Sequence, residues 1–277
     1  MGPGSGVFAT KLAEYFQHVH VSNSNASFIK HAREVIDRWF AEKWWKARFT
    51  FSVTQPETAN EAVAKRSVDL TTLMQCAHLT DQEAMIHSVA DSLTSKATLA
   101  IVQINPAPYV IDNDAVKQAV DRLFAFWGEN TLETGGGPQS LMGTTYLPQG
   151  NAGTHCVPLP DELFIQDSVQ RFDINVRERG RTPHAIPGQE HLVMPSQATS
   201  EHEKEEFSSD EDAEGAGWRQ EVGVSWFRGL LGTMEQKSRL HLYETHLKEV
   251  ERVIRATSAI GVVEIEWTVS LLLATRR

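Results

Sequence analysis

The densest group of residues that could bind a charged ligand lies between the first predicted long helix and the strand that follows it. It contains two lysines, two adjacent tryptophans and an arginine: Lys43, Trp44, Trp45, Lys46 and Arg48. Cations bind phosphates and exposed rings stack on bases, at about 1–3 kcal/mol per base, so this composition is typical of nucleic-acid binding. Three further basic residues extend the predicted surface: Lys30, Lys65 and Arg66. The alternative is that both tryptophans fill the hydrophobic corner between helix and strand while the lysine stems extend into water.

The histidines could bind a metal ion, but their spacing does not match a metal site. His18 and His20 share one face of a predicted strand, and a third ligand would come from His31, His155 or Cys156. His155 and Cys156 are adjacent and lack a second pair at CxxC or HxxxH spacing. We therefore predict hydrogen-bonded or exposed histidines, no metal and no cofactor.

The sequence signatures of catalysis are also missing. No G-x-S-x-G turn occurs, no G-x-G-x-x-G follows a predicted strand, and the glycines at 135–137 lack the lysine of a phosphate-binding loop. Cys76 lies in an apolar stretch and is predicted to be buried and unreactive. Glu264 and Glu266 are predicted on the solvent face of a strand. These patterns predict that the protein is not an enzyme.

Composition limits the class of protein. The chain has 277 residues, 41% of them hydrophobic and 22% charged, which is enough for one large or two small domains. The two cysteines exclude a module held together by disulfides and favour a reducing compartment. No apolar stretch of about 20 residues is present, and the first residues lack the apolar core of a secretory signal. We expect an intracellular protein without a membrane span; the compartment stays open.

The negative charge is concentrated in one segment. Residues 201–214 contain eight acidic residues and one lysine, or −7 of the net charge of −10. This run is typical of a solvated loop, with a docking tail for a basic partner as the alternative. The segment from Gly135 to Gly217 is rich in Gly, Pro and Ser and predicts an irregular acidic arm, partly disordered. The expected organisation is therefore residues 1–134, this arm, and a C-terminal region at 218–277 that completes the same sheet.

Hydrophobic periodicity predicts an α/β (α+β) fold with a mixed sheet and amphipathic helices on one of its faces. Strands are predicted at 18–22, 48–53, 97–104 and 263–271, with two short ones at 141–147 and 168–176. Helices are predicted at 28–40, 58–75, 81–95, 112–127 and 240–256. The last strand is the clearest, because apolar residues alternate with polar ones along most of its length.

Four stretches together resemble the Alba superfamily of small nucleic-acid-binding proteins, which includes subunits of eukaryotic RNase P and MRP. They are VHVSNSNASFIKHAREVIDRW, ARFTFSV and TANEAVAKRSVDL at 19–39, 47–53 and 58–70, and VVEIEWTVSLL at 262–272. The resemblance implies a β-α-β-α half, a closing strand, and a long arm that contacts nucleic acid. Three features depart from the family pattern: the turn at 54–57 lacks its glycine, only polar residues match its first-loop cation, with Lys30 a turn further on, and the segment 81–127 has no counterpart in a minimal domain.

Function is predicted from these features together. The leading hypothesis is a non-catalytic interaction subunit of a larger assembly, with a ribonucleoprotein as the expected setting and protein subunits as partners. The segment GVSWFRGLL suggests a docking motif through Trp226, Phe227 and Leu230, or a turn that packs back on the domain. The alternatives are direct RNA or DNA binding of the Alba type, and an enzyme whose scattered site residues form no motif. A homo- or heterodimer is compatible with all three.

Overall fold

The computed structural model describes residues 1–2, 6–41, 48–111, 113–176, 184–197, 204–207, 218–234 and 237–277. The helices are α1 (Val7–Leu12), α2 (Ala26–Ala41), α3 (Ala59–Ala62), α4 (Gln82–Ser92), α5 (Asp114–Thr134), α6 (Leu147–Asn151), α7 (Val224–Met234) and α8 (Glu244–Thr257). The strands are β1 (His18–Asn23), β2 (Arg48–Val53), β3 (Val68–Met74), β4 (Leu93–Ile104), β5 (Tyr109–Ile111), β6 (Phe164–Ile174), β7 (Lys204–Phe207), β8 (Arg219–Val222), β9 (Val263–Glu266) and β10 (Val269–Arg276).

The amino-terminal unit follows its sequence pattern closely. β1 and β2 form a parallel pair, and α2 crosses between them as the alternation and the helical period predict. At the start of α2, the Asn25 side-chain oxygen accepts a hydrogen bond from the Ser27 amide at 2.9 Å, which supplies a partner for a free helix amide. Val21, Ala32 and Ile36 are buried together in the small core that α1 and α2 form over β1.

A five-stranded sheet in the order β3-β4-β10-β6-β7 forms the centre of the protein. β3 and β4 are parallel, and β10 lies antiparallel between β4 and β6. The predicted helix at 58–75 is wrong: only a 3-10 turn at Pro56–Thr58 and the short α3 are helical, and Val68–Met74 is a strand. Pairing with β4 overrides the helical preference of the alanines before it, because tertiary contacts outweigh local propensity.

A separate three-stranded sheet, β5-β9-β8, packs with α5, α7 and α8 around a second core. The single strand predicted at 263–271 is therefore two strands in two sheets, β9 and β10. The solvent-facing position predicted for Glu266 is wrong: its side chain is fully buried and accepts a hydrogen bond from Arg219 Nε at 3.2 Å. This ion pair compensates for the cost of burying the carboxylate.

The described residues between Gly135 and Gly217 include two strands of the five-stranded sheet, β6 and β7. β6 lies next to β10 and replaces the shorter strand expected at 168–176. The strand predicted at 141–147 is wrong, because Met142–Tyr146 forms a π-helical turn that leads into α6. Most of the acidic run at 201–214 lies outside the described residues, apart from β7, which pairs in parallel with β6.

The described elements confirm a mixed α/β fold with helices packed on a mixed sheet. A long acidic loop excursion is not confirmed. Among the described residues, no helix combines the length and the apolar character that crossing a bilayer requires.

Candidate functional site

Five strands end at the same edge of the molecule. β1 and β2 run parallel, as do β3 and β4, and β6 runs parallel to β4 because both are antiparallel to β10. Met1 and Gly2 connect the two groups. The Met1 amino group donates to Thr72 O at 2.7 Å, the Met74 amide donates to Met1 O at 3.2 Å, and the Gly2 amide donates to Ser22 O at 3.2 Å.

The two Met1 bonds have the pattern of a parallel ladder with β3. Gly2 bonds near the carboxyl end of β1 and Met1 near that of β3, and the amino-terminal halves of both strands line one cavity, so β1 and β3 point in one direction. Strand order runs outward from this place in both directions, to β1-β2 on one side and to β3-β4-β10-β6-β7 on the other. Open α/β sheets bind ligands beyond the carboxyl ends of their strands where the order reverses. Met1 and Gly2 therefore mark the expected ligand position, which we call the switch point.

Gly2, the first glycine of a glycine-rich segment, lies at the switch point. The sequence Gly2-Pro3-Gly4-Ser5-Gly6 precedes α1, and both described glycines have positive φ, +63° at Gly2 and +85° at Gly6. A Cβ at Gly2 would lie 2.6 Å from Met74 O and 2.8 Å from Cys76 Sγ, and one at Gly6 would lie 3.1 Å from Ala32. Only glycine fits such positions, so the backbone can pass close to the end of β3 at Gly2 and close to α2 at Gly6.

Neutral polar groups lie at the strand ends around Gly2. Asn23 ends β1, its carbonyl accepts from the Thr54 amide at 3.0 Å, and its side-chain oxygen accepts from the Asn25 amide at 2.8 Å. Gln75 follows β3 with a φ of +52° and joins the ends of two strands. Its amide nitrogen donates to Ile104 O at 2.6 Å and its amide oxygen accepts from the Ile104 amide at 2.7 Å. The edge is therefore held rigidly by side chains that carry no charge.

Two titratable groups follow Gln75. Cys76 is a free thiol against Gly2, and burial raises its pKa, so the thiol is protonated at neutral pH. His78 lies in the 3-10 turn Ala77–Leu79. Although the residue as a whole is only partly buried, Nδ1 is buried and has no hydrogen-bond partner among the described residues. Burial lowers the pKa of His78 to about 4, which leaves a neutral imidazole at pH 7.

His78 also contacts the element that covers the sheet beside it. Its ring lies 3.7 Å from the place that a Cβ on Gly150 would occupy, and Gly150 belongs to α6. The Gly150 carbonyl in turn accepts a hydrogen bond from Gln103 Nε2 of β4 at 2.7 Å. The imidazole is thereby enclosed between the end of β3 and α6, where a buried nitrogen without a partner is suited to a polar ligand atom.

A second titratable cluster lies at the carboxyl end of β6. Asp173 accepts hydrogen bonds from His155 Nε2 and His184 Nε2, each at 2.8 Å, and both rings have a buried Nδ1 without a partner in the described part of the chain. Burial opposes ionisation, but the two histidines hold the pKa of Asp173 well below its usual range.

The three ligand atoms of this cluster lie within 4.8 Å of one another and could hold a metal ion. Two imidazoles and one carboxylate suit zinc or iron. However, each imidazole bonds directly to the carboxylate, and among the described residues neither Nδ1 has the outer partner that usually orients a metal-binding histidine. The geometry is that of a hydrogen-bonded triad. His20, another candidate ligand, instead bonds to Thr50 at 2.8 Å and to Ser52 at 2.9 Å.

The basic residues predicted to bind nucleic acid do not gather at the switch point. Arg48 begins β2, and Lys65 and Arg66 precede β3, so all three lie at the amino ends of the strands. Lys65 is paired with Asp91 at 3.1 Å, and Lys30 is exposed on α2. The remaining candidates, Lys43, Trp44, Trp45 and Lys46, lie outside the described residues.

The suggested docking motif packs back on the protein. Phe227 of α7 is fully buried in the second core, where Trp226 and Leu230 also pack. The Trp226 ring meets the Phe227 ring edge-on at 5.2 Å and lies 5.7 Å from the Trp267 ring. These side chains contribute to the interior, as the alternative reading of this segment predicts.

Sequence reasoning missed the residues at the switch point. The available signal was G-x-G-x-G at 2–6 directly before a helix, which is typical of turns that let a ligand approach the backbone. Reading 58–75 as one helix also concealed that Gln75, Cys76 and His78 follow a strand end. Their chemistry becomes visible only once β3 is placed beside β4.

Known proteins resemble this chain along nearly its whole length. No family model matches it. It is 26% identical over 278 residues to the methyltransferase gedG of Aspergillus terreus, which covers 99% of this chain and 80% of that protein. It is also 26% identical over 180 residues to a methyltransferase of Claviceps purpurea, covering 65% of this chain and 52% of the relative.

One solved structure shares the fold. It is a putative type II methyltransferase from Anaeromyxobacter dehalogenans, with a TM-score of 0.52 and 17% identity, covering 99% of this chain and 86% of that one. The Alba resemblance is therefore wrong. It depends on the order of strands and helices in about one third of the chain, whereas the similarity to the Aspergillus and Anaeromyxobacter proteins extends over 99% of it. The predictions of a non-catalytic subunit, of RNA binding and of no enzymatic activity are wrong for the same reason. The chain has the fold of this putative methyltransferase.

Proposed function

We propose that the protein is a methyltransferase that binds its methyl donor at the switch point. One observation carries the proposal: Gly2, at which a side chain does not fit, lies where the strand order reverses, at the carboxyl ends of β1 and β3. The similarity to two fungal methyltransferases supports it, since the first of them matches 99% of the chain. The donor that we propose is S-adenosylmethionine.

The residues at the switch point fit this donor in two respects. Gly2 has no room for a side chain, because Met74 O and Cys76 Sγ fill the position of a Cβ, so a ligand at the ends of β1 and β3 would meet the backbone there. The polar groups nearby are amides and hydroxyls, which suit ribose hydroxyls and the zwitterionic amino acid end. We expect the backbone at Gly2 to hold the amino acid end, and Asn23 and Thr54 to hold the nucleoside.

The bound donor would supply an electrophilic methyl group on a sulfonium sulfur, and the chain supplies binding and orientation. We assign the orientation of the methyl acceptor to His78. Its neutral Nδ1 accepts a hydrogen bond from an O–H or N–H of the acceptor and holds the attacking lone pair towards the donor side. Because burial keeps the imidazole neutral, it adds no positive charge beside the cationic donor.

Methyl transfer from labelled S-adenosylmethionine to a panel of phenols, carboxylic acids and amines tests the proposal. The wild-type protein should transfer label to at least one class. His78→Ala should lower kcat/KM for that acceptor about 10- to 100-fold, because a buried oriented hydrogen bond is worth about 1–3 kcal/mol. His87→Ala is the matched control, since His87 is exposed on α4. The absence of donor binding at millimolar concentration would refute the proposal.

A further inference from the structure

The triad of His155, Asp173 and His184 brings together side chains from three separate segments of the chain. His155 follows α6, Asp173 lies at the carboxyl end of β6, and His184 begins the described segment 184–197. β4 and β10 lie between β3 and β6, so at about 4.8 Å per strand β6 is about 14 Å from β3 across the sheet. The triad is therefore separate from the proposed donor site.

The donor atoms of the triad have nearly the spacing of metal ligands. His155 Nε2 lies 2.8 Å from Asp173 Oδ2, and His184 Nε2 lies 2.8 Å from Asp173 Oδ1, so each carboxylate oxygen faces one nitrogen. The three residues each offer one ligand atom within 4.8 Å of the others. Neighbouring ligands of an ion to which they bind at about 2.1 Å are about 3 Å apart, so movements below about 1 Å per ring would place all three around one ion.

Burial and charge favour a cation at this place. The side chain of His184 is 2% exposed, and those of His155 and Asp173 are 14% and 13% exposed. Although burial opposes ionisation, hydrogen bonds and charges of the two histidines hold the pKa of Asp173 well below its usual range. With both imidazoles neutral, which is the form that binds metals, the triad carries one negative charge. A cation compensates for this charge where little water reaches it.

The turn that precedes the first histidine of the triad fits the ring of the second. Gly153 has a φ of +62°, and a Cβ there would lie 2.7 Å from Cδ2 of the His184 ring. Only glycine lets the ring pack against this turn. The Thr154 amide donates to Ser270 Oγ at 3.0 Å, and the two hydroxyls bond at 2.7 Å. Because Ser270 pairs with Asp173 across β10 and β6, these bonds fix the turn beside the carboxylate.

We propose that the triad binds one Zn²⁺ ion through His155 Nε2, His184 Nε2 and the Asp173 carboxylate. Two imidazoles and one carboxylate are a ligand set that suits zinc, with water in the fourth position. Mg²⁺ and Ca²⁺ prefer sites made of oxygen atoms, so the two nitrogens select against them. The ion joins the turn after α6, the end of β6 and the segment 184–197, and thereby supports α6, which encloses His78.

Zinc binding requires a change of tautomer at both imidazoles. In the hydrogen-bonded triad each Nε2 carries a proton and donates it to Asp173. Neither Nδ1 has a partner in the described part of the chain, so this proton can shift to Nδ1 and leave the Nε2 lone pair for the ion. A hydrogen bond from Nδ1 typically adds about 10- to 100-fold to metal affinity, so its lack predicts a dissociation constant in about the micromolar range.

Equilibrium dialysis of the full chain against Zn²⁺, after treatment with a chelator that is then removed, tests the proposal. The wild-type protein should bind about one equivalent with roughly micromolar affinity. Asp173→Asn and His155→Gln change the side-chain volume little and should each weaken binding at least about tenfold. His191→Gln is the matched control, because His191 is exposed in the same segment as His184, and it should bind Zn²⁺ as the wild type does.

Cobalt(II) gives a second readout that needs no variant. Four-coordinate cobalt(II) bound by the triad should gain strong visible absorption that the aqueous ion lacks, and Zn²⁺ should abolish it by displacement. Unchanged cobalt absorption of the wild-type protein would overturn the proposal, whether or not the variants fold by circular dichroism. So would less than about half an equivalent of zinc at about 100 μM free Zn²⁺, or equal affinity in the wild type and Asp173→Asn. The measurements use no methyl donor, so their outcome is separable from that of the activity assay.

Discussion

Lowering the pH from 7 to 4.5 should destabilise the wild-type protein more than a His78→Gln variant. Burial lowers the pKa of His78 from its ordinary value of 6.5 to about 4 in the folded protein. Between these values the unfolded chain binds a proton at His78 and the folded protein does not. Stability therefore falls as the pH drops through this window, and above pH 6.5 the group has no effect on it.

The size of the effect follows from the same two values. Each pKa unit corresponds to about 1.4 kcal/mol, so the interval from 6.5 to about 4 amounts to about 3 kcal/mol of unfolding free energy at its acid end. Other groups that titrate in this range are common to both proteins and cancel in the difference. At pH 4.5 the wild-type protein should have lost about 2–3 kcal/mol more than His78→Gln.

Urea unfolding at pH 7, 6, 5 and 4.5 measures this difference, with free energies taken from midpoints and slopes. His87→Gln, on the exposed face of α4, should follow the wild-type curve. Parallel curves for the wild-type protein and His78→Gln, within about 0.5 kcal/mol at every pH, would refute the buried, neutral imidazole. The role assigned to His78 in orienting an acceptor would then fail as well.

Three further outcomes are expected from buried groups. Asp173→Ala should lower the free energy of unfolding by about 3 kcal/mol, because it removes the carboxylate that bonds both histidine rings of the triad; a loss below 1 kcal/mol in urea would contradict the triad. Phe227→Ala should cost about 3–5 kcal/mol by thermal or urea unfolding, since the ring is fully buried, whereas a surface docking role predicts almost no change. Cys76 should react slowly with iodoacetamide at pH 7.5 and faster above pH 9, as its raised pKa implies; rapid labelling by mass spectrometry at pH 7.5 would contradict its burial.

Local patterns predict the amino-terminal unit well. β1, α2 and β2 are confirmed because each has one buried face, and alternation or helical spacing shows that face directly. β3 carries a weaker pattern. It is one of the partly buried strands of the sheet, and its threonines interrupt the alternation of Val68, Leu70 and Leu73. The alanines before it favour a helix, and only the partner strand β4 decides otherwise.

Long-range contacts explain the remaining differences. The spacing predicts a solvent-facing position for Glu266, yet Arg219, which lies 47 positions earlier, makes its burial possible. The candidate site depends on the same kind of information. Its members, at Gly2, at the end of β1 and after β3, are brought together by strand order, which no local pattern contains. The one local signal of the site is the G-x-G-x-G motif at 2–6, directly before α1.

The most direct test of the account is hydrogen exchange of the full chain with and without S-adenosylmethionine. Donor binding should slow exchange in peptides that contain residues 1–7, 22–25 and 74–78, which surround the switch point. Peptides around Arg48, Lys65 and Arg66, at the opposite ends of the strands, should be unchanged. Protection confined to those amino-terminal ends, or no change at a donor concentration of several millimolar, would contradict a donor site at the switch point.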